Sequence, residues 1–173
     1  ARLIPCAEQT RFLKNGADAT AAAVRLARAV TGRSHILRCG YHGYQDWCLE
    51  EPARGVPAAV KNLRHSFAYN DLKDLEQSIM HRYPAAVIME PVVSQNPVEP
   101  APGYLEEVRA LCDFYGCLLI FDEVVTGFRL HLGGAQAYYG VTPDLAAFSK
   151  AMGNGFPIAA LVGKERYMRR LGE

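Results

Sequence analysis

Apolar residues along the chain keep two alternating rhythms. In some stretches they form short unbroken runs, as in Ala85-Ala86-Val87-Ile88-Met89 and Cys117-Leu118-Leu119-Ile120-Phe121, and each run ends in a carboxylate, Glu90 or Asp122. A run without polar alternation is what a parallel strand covered on both faces requires. Elsewhere the apolar positions recur at helical spacing: Ala19, Ala22, Ala23, Leu26, Ala27 and Val30, then Leu72, Leu75 and Ile79, then Tyr104, Leu105, Val108, Leu111, Cys112 and Tyr115. The punctuation agrees. Asn15, with Asp18 three residues on, suits a helix start, Asn70 or Asp71 suits another, and Gly32 and Gly116 suit helix stops. Further strands are expected at Thr10 to Lys14, His35 to Cys39, near His65 to Ala68, at Leu145 to Ser149 running into Lys150, and at Ile158 to Val162. Strands alternating with helices imply right-handed crossovers and an α/β three-layer sandwich, a mainly parallel sheet with helices on both faces. No repeat or interior boundary interrupts it, so residues 1–173 read as one domain.

One connection is too long to be a simple link. From Gly40 to Val56 the chain is irregular, and it carries Tyr41, Tyr44 and Trp47, which marks it as a ligand-facing segment. In open parallel sheets ligands gather beyond the carboxyl ends of the strands. The residues there are Asn15-Gly16-Ala17, Tyr41-His42-Gly43, Glu90, Asp122-Glu123-Val124 and Lys150. A strand-to-helix turn with glycine offers amides to a phosphate, an aromatic ring stacks, a buried carboxylate partners a cationic nitrogen, and a lysine condenses with a carbonyl. Together these suit pyridoxal phosphate.

Each residue also has a plainer reading. Lys150 alone reads as a solvated lysine, Asp122 alone as a helix cap or ion-pair partner, and their pairing favours function. Trp47 reads as cover for the core edge, and His42 as a hydrogen-bonded group behind the site. Glu90 and Glu123 are expected to hold loops or Arg129 in place. The remaining histidines and the charges from Arg166 to Arg170 read as a solvated helix face.

Composition narrows the partners. Half the residues are hydrophobic and 21% are charged, which is globular, and a net charge of +1 spread along the chain leaves no footprint for nucleic acid or a membrane surface. No apolar run approaches the about 20 residues of a membrane span, and no signal core opens the chain, so a cytoplasmic location is expected. The five cysteines form no C-x-x-C pair and read as buried free thiols, with a nucleophilic role left open. Asn15-Gly16-Ala17 has one glycine where a dinucleotide fingerprint needs three, which disfavours a hydride-transfer enzyme.

The run Phe121-Asp122-Glu123-Val124-Val125-Thr126-Gly127-Phe128-Arg129, then Gly133-Gly134-Ala135-Gln136, then Thr142-Pro143-Asp144-Leu145 with Lys150 following, resembles the class III aminotransferases of fold type I. The likeness is strongest to their glutamate-1-semialdehyde 2,1-aminomutase branch. Arg25-Leu26-Ala27-Arg28 with Thr31-Gly32-Arg33, Tyr41-His42-Gly43 and Glu90-Pro91-Val92-Val93 extend it over nearly the whole chain. The resemblance implies pyridoxal 5'-phosphate as cofactor, with no metal, bound as a Schiff base to Lys150, which later moves protons. It places Asp122 on the pyridinium nitrogen, Tyr41 and Val124 on the two ring faces, Gly16 and Ala17 at the phosphate, and Gln95 near the ring hydroxyl. Asn15 and His42 join the cofactor-binding set. The family commonly reads Ser-Gly-Thr where this chain has Asn15-Gly16-Ala17, and its motif is altered between Ser94 and Pro100. A homodimer acting on a small amino, keto or aldehyde substrate is implied. Relatives are longer, with an N-terminal segment and a small C-terminal domain. The chain therefore reads as the large domain of such an enzyme, present as a fragment; a stand-alone cofactor domain and an inactive interaction module are the other readings.

Overall fold

A computed structural model describes residues 3–172. The first strand, β1 (Gln9–Leu13), feeds α1 (Gly16–Thr31). At the junction Asn15 Oδ1 accepts the Asp18 amide at 2.9 Å, and Asn15 Nδ2 donates to the Asp18 carboxylate at 2.7 Å. Asp18 thus answers the cap through its partner's side chain instead of a backbone amide. Gly32, at φ 69°, ends the helix in the left-handed conformation.

The chain continues through β2 (Ile36–Cys39), α2 (Ala58–Lys61), β3 (Arg64–Ser66), α3 (Leu72–Arg82), β4 (Ala86–Met89), α4 (Tyr104–Tyr115) and β5 (Leu118–Asp122). Then come α5 (Ala135–Tyr139), β6 (Leu145–Phe148), a 3₁₀ turn at Lys150–Met152, β7 (Ala159–Gly163) and α6 (Glu165–Met168). One seven-stranded sheet results, in the order β1-β7-β6-β5-β4-β2-β3. The pairs from β3 to β6 are parallel, whereas β7 runs antiparallel to both β6 and β1. The short return from Phe148 to Ala159 explains the exception, because a parallel neighbour needs a crossover of about a dozen residues or more, usually with a helix.

Successive strand residues point to opposite faces and fill two cores. Val87, Met89, Leu119 and Phe121 pack with Leu75, Ile79, Leu105 and Val108 of α3 and α4. Ala86, Ile88 and Ile120 pack with Ala23, Leu26 and Ala27 of α1. The alanines let α1 lie close on the sheet, so its N-terminus arrives at the carboxyl ends of the parallel strands. No helix among the described residues is long and apolar enough to cross a membrane.

Candidate active site

A cleft of about 370 Å³ opens at those strand ends. Asn15, Gly16 and Ala17 reach it from the start of α1, Tyr41 and His42 from the loop after β2, Asp122 and Val124 from the end of β5, and Lys150 from the turn after β6. Residues up to 135 positions apart thus meet in one place. Gln95 does not join them. It is exposed and lines a neighbouring cleft that shares only Tyr41 and Gly43 with the first. The reason is local: the 93–98 segment closes on itself through a Val93–Val98 bridge, and Ser94, not Gln95, turns inward to donate to Glu90.

Asp122 is 4% exposed and forms part of the cleft floor. Its Oδ1 accepts the Val124 amide at 3.1 Å, and its Oδ2 lies 2.8 Å from His42 Nδ1. An ionised carboxylate only accepts, so Nδ1 carries the proton of that bond. The His42 ring is buried, stacks on Trp47 with centroids 6.1 Å apart, and its Nε2 has no hydrogen-bond partner among the described residues. Trp47 therefore covers the histidine behind Asp122 and not merely the core edge. Thr20 Oγ1 donates to the His42 carbonyl at 2.9 Å, which ties the loop to α1. Neither contact leaves a local trace in the sequence.

The two glutamates hold loops. Glu90 accepts the Tyr41 amide at 3.0 Å, and Gly40 sits at φ 99° with space so tight that a Cβ there would lie 2.5 Å from the Glu90 carboxylate. Glu123 accepts Thr126 Oγ1 and the amides of Ala135 and Gln136. It does not hold Arg129, whose guanidinium donates to the Val125 carbonyl instead. Of the remaining histidines, His81 lies on the exposed face of α3, whereas His35 Nδ1 meets His65 Nε2 at 3.0 Å and His131 Nδ1 accepts the Gly133 amide at 2.9 Å.

Lys150 begins the 3₁₀ turn at φ 40°, a conformation sparsely occupied outside glycine. Such strain persists where surrounding structure imposes it, and it is concentrated at functional sites. Opposite, the turn at Gly16 fits against Val124: a Cβ on Gly16 would lie 2.9 Å from Val124 Cγ2. The first amides of α1 have no partner within the helix, and Gly16 and Ala17, which carry two of them, line the cleft.

These features fit a phosphorylated aromatic aldehyde. The helix start suits its phosphate, Tyr41 and Val124 suit its ring faces, the buried Asp122 suits a ring nitrogen and Lys150 suits its carbonyl. Fold and site together define an α/β domain with a cleft suited to such a cofactor. The chain belongs to the class III aminotransferases, whose family model matches residues 1–173. It is 49% identical to 3-aminobutyryl-CoA aminotransferase of Cloacimonas acidaminovorans (strain Evry) over 99% of this chain and 42% of the relative. It superposes on an omega-transaminase from Sphaerobacter thermophilus with TM-score 0.89 at 33% identity, over 96% of this chain and 43% of that one. A glutamate-1-semialdehyde-aminomutase from Pseudomonas aeruginosa PAO1 gives TM-score 0.87 at 26% identity, over 99% and 40%. The chain thus spans less than half the length of these relatives. Class III aminotransferases use pyridoxal phosphate.

Proposed function

We propose that residues 1–173 are the pyridoxal-phosphate-binding large domain of an enzyme that moves amino groups between small amino, keto or aldehyde compounds, as an aminotransferase or an aminomutase. The convergence of Lys150, Asp122, Tyr41 and the start of α1 on one cleft carries this reading. When bound, pyridoxal phosphate supplies an electron-withdrawing ring that stabilises negative charge on a substrate carbon. Lys150 Nζ is the covalent anchor and the group that takes and returns a proton. Asp122, held by His42 and the Val124 amide, presents its carboxylate to the protonated ring nitrogen. Tyr41 and Val124 flank the ring, and the amides of Gly16 and Ala17, in the turn fixed by Asn15, take the phosphate. Gln95 contacts the ring only if its loop rearranges, so Ser94 and Glu90 are the nearer polar groups on that side.

The relative from Cloacimonas is named for a coenzyme A ester. A substrate of that size needs room beyond the cleft, and the adjoining cleft around Arg38 and Gln95 supplies it. The complete enzyme acts in the cytoplasm as a homodimer, which sedimentation of the purified protein tests. Titration with pyridoxal phosphate, borohydride reduction and peptide mapping test the cofactor assignment. Label on Lys150, and none in Lys150→Ala, is the expected result. Label on Lys164 alone, or none, would remove it and favour an interaction module.

A further inference from the structure

A second, strongly polar cleft of about 610 Å³ lies at the β3 edge of the sheet. Arg38, Lys61, Arg64 and Arg82 line it against two carboxylates, Glu50 and Glu51. Arg38 and Arg64 are built into the fold. Their side chains are only 6% and 5% exposed, and the pairing of Ile36 with Arg64 sets both on the same sheet face. Each guanidinium has five N–H donors. Arg38 has Glu50 at 3.7 Å, Arg64 has Glu51 at 3.1 Å, and the buried Nε atoms of both arginines have no partner among the described residues. The two glutamates are 72% and 64% exposed at the side chain, so they are loosely held acceptors for tightly held donors.

A buried cation is costly unless it is paired and hydrogen-bonded, so this site is short of acceptors. Burial pulls the Arg38 pKa down and Arg64 adds to that, with Glu50 opposing. For His65 burial, then Arg82 and His35, lower the pKa, so the histidine adds no cation at neutral pH. A phosphate, with several anionic oxygens, can accept from two arginine forks at once. Glu51 can release Arg64 and stay bound, since its other oxygen accepts the Ala53 amide at 2.9 Å and faces Lys61.

The basic cleft is not isolated. The cleft of about 250 Å³ beside it shares Arg38 and Glu50 with it, and shares Tyr41 and Gly43 with the Lys150 cleft. The three clefts therefore share walls in series between the buried arginines and the lysine. Arg38 and Tyr41 are three residues apart, so their Cα atoms lie within about 11 Å of each other. We propose that the basic cleft is a subsite for the phosphate groups of an extended substrate, of the coenzyme A thioester class, whose reacting end reaches Lys150. This rests on the amine-transfer reading above, but it assigns residues that take no part in holding the cofactor.

Calorimetric titration of the chain with coenzyme A, and separately with inorganic phosphate, tests it, with pyridoxal phosphate capture read in the same preparations. Coenzyme A is expected to bind at least about tenfold more tightly than inorganic phosphate, with added salt weakening it. The double variant Lys61→Gln, Arg82→Gln, which spares the buried Arg38 and Arg64, is expected to weaken it about tenfold or more, some 1.4 kcal/mol. Absence of coenzyme A binding by a chain that captures pyridoxal phosphate would overturn the inference and leave the cofactor reading standing. Equal affinity for inorganic phosphate, or binding indifferent to the double variant, would overturn it too. Variant-sensitive coenzyme A binding by a chain that captures no pyridoxal phosphate would support the subsite and remove the cofactor reading instead.

Discussion

Asp122 works through its neighbours as much as through its charge. His42 and the Val124 amide fix both oxygens, so the carboxylate cannot turn away from the cleft, and its burial makes any further bond to a cation strong. Asp122→Asn is expected to weaken pyridoxal phosphate capture about 10- to 100-fold, the range of a charge-assisted hydrogen bond worth about 1.5–3 kcal/mol. Absorption titration reads it, and unchanged affinity would mean that Asp122 is not the ring-nitrogen partner. The places of Asp122 at the end of an apolar strand and of Lys150 just beyond another were legible in sequence, because each borders an apolar run. The Asp122–His42 bond was not, since its members are 80 residues apart and only the fold joins them. The cysteines carry a second prediction. Burial pushes the Cys6 thiol up to about 12 and Cys39 to about 11, with Glu123 and Glu90 adding to it. Little thiolate forms at pH 8, so iodoacetamide is expected to spare both in the folded chain and modify them after unfolding, as read by peptide mass mapping. Fast labelling of folded Cys39 would revive a nucleophilic role.

At the scale of elements, α1 joins stability to the site. Its cap contributes stability, and Asn15→Ala is expected to cost about 1 kcal/mol in urea unfolding. Its first residue contributes room. Gly16→Ala places a methyl 2.9 Å from Val124 Cγ2, and overpacking of about 1–3 kcal/mol is expected to weaken pyridoxal phosphate capture about tenfold or more. Val124→Ala in the same chain should recover part of the loss; if Gly16→Ala alone binds like the parent, α1 does not form the phosphate wall. Most elements were legible because strands buried on both faces and helices with one apolar stripe leave different rhythms. Direction was not. The apolar run of β7 reads the same either way along a sheet, so its antiparallel course emerges only from the short return after Lys150. The 93–98 loop has no rhythm at all, so only likeness put Gln95 at the ring, and the structure leaves it outside the Lys150 cleft.

Across the whole molecule the sheet separates chemistry from anchorage. Lys150 follows the end of β6, whereas Asp144 precedes its start and binds the opposite side of the fold together. One Asp144 oxygen accepts Arg109 Nη1 of α4 and the Leu119 amide of β5, both at 2.9 Å, and the other accepts Lys164 Nζ after β7 at 2.9 Å. Burial alone would raise the Asp144 pKa, but Arg109, the Leu119 amide and Lys164 outweigh it and hold the carboxyl below its ordinary value. A pKa lower in the folded than in the unfolded chain means that the unfolded chain binds the proton first. The stabilisation is therefore complete above the unfolded value of about 4 and is lost as pH falls through the folded one. Asp144→Asn takes the carboxylate from Lys164 and leaves Arg109 to Asp113 alone, and it is expected to lower stability at pH 7 by about 2 kcal/mol, within the range of a charge-assisted hydrogen bond. Because the parent loses the same charge on acidification, the gap between the two proteins should narrow steadily from pH 5 to pH 2. Urea unfolding of both across that range measures it, and a gap that stays constant would show that the ion pairs of Asp144 are not what stabilises this end of the sheet.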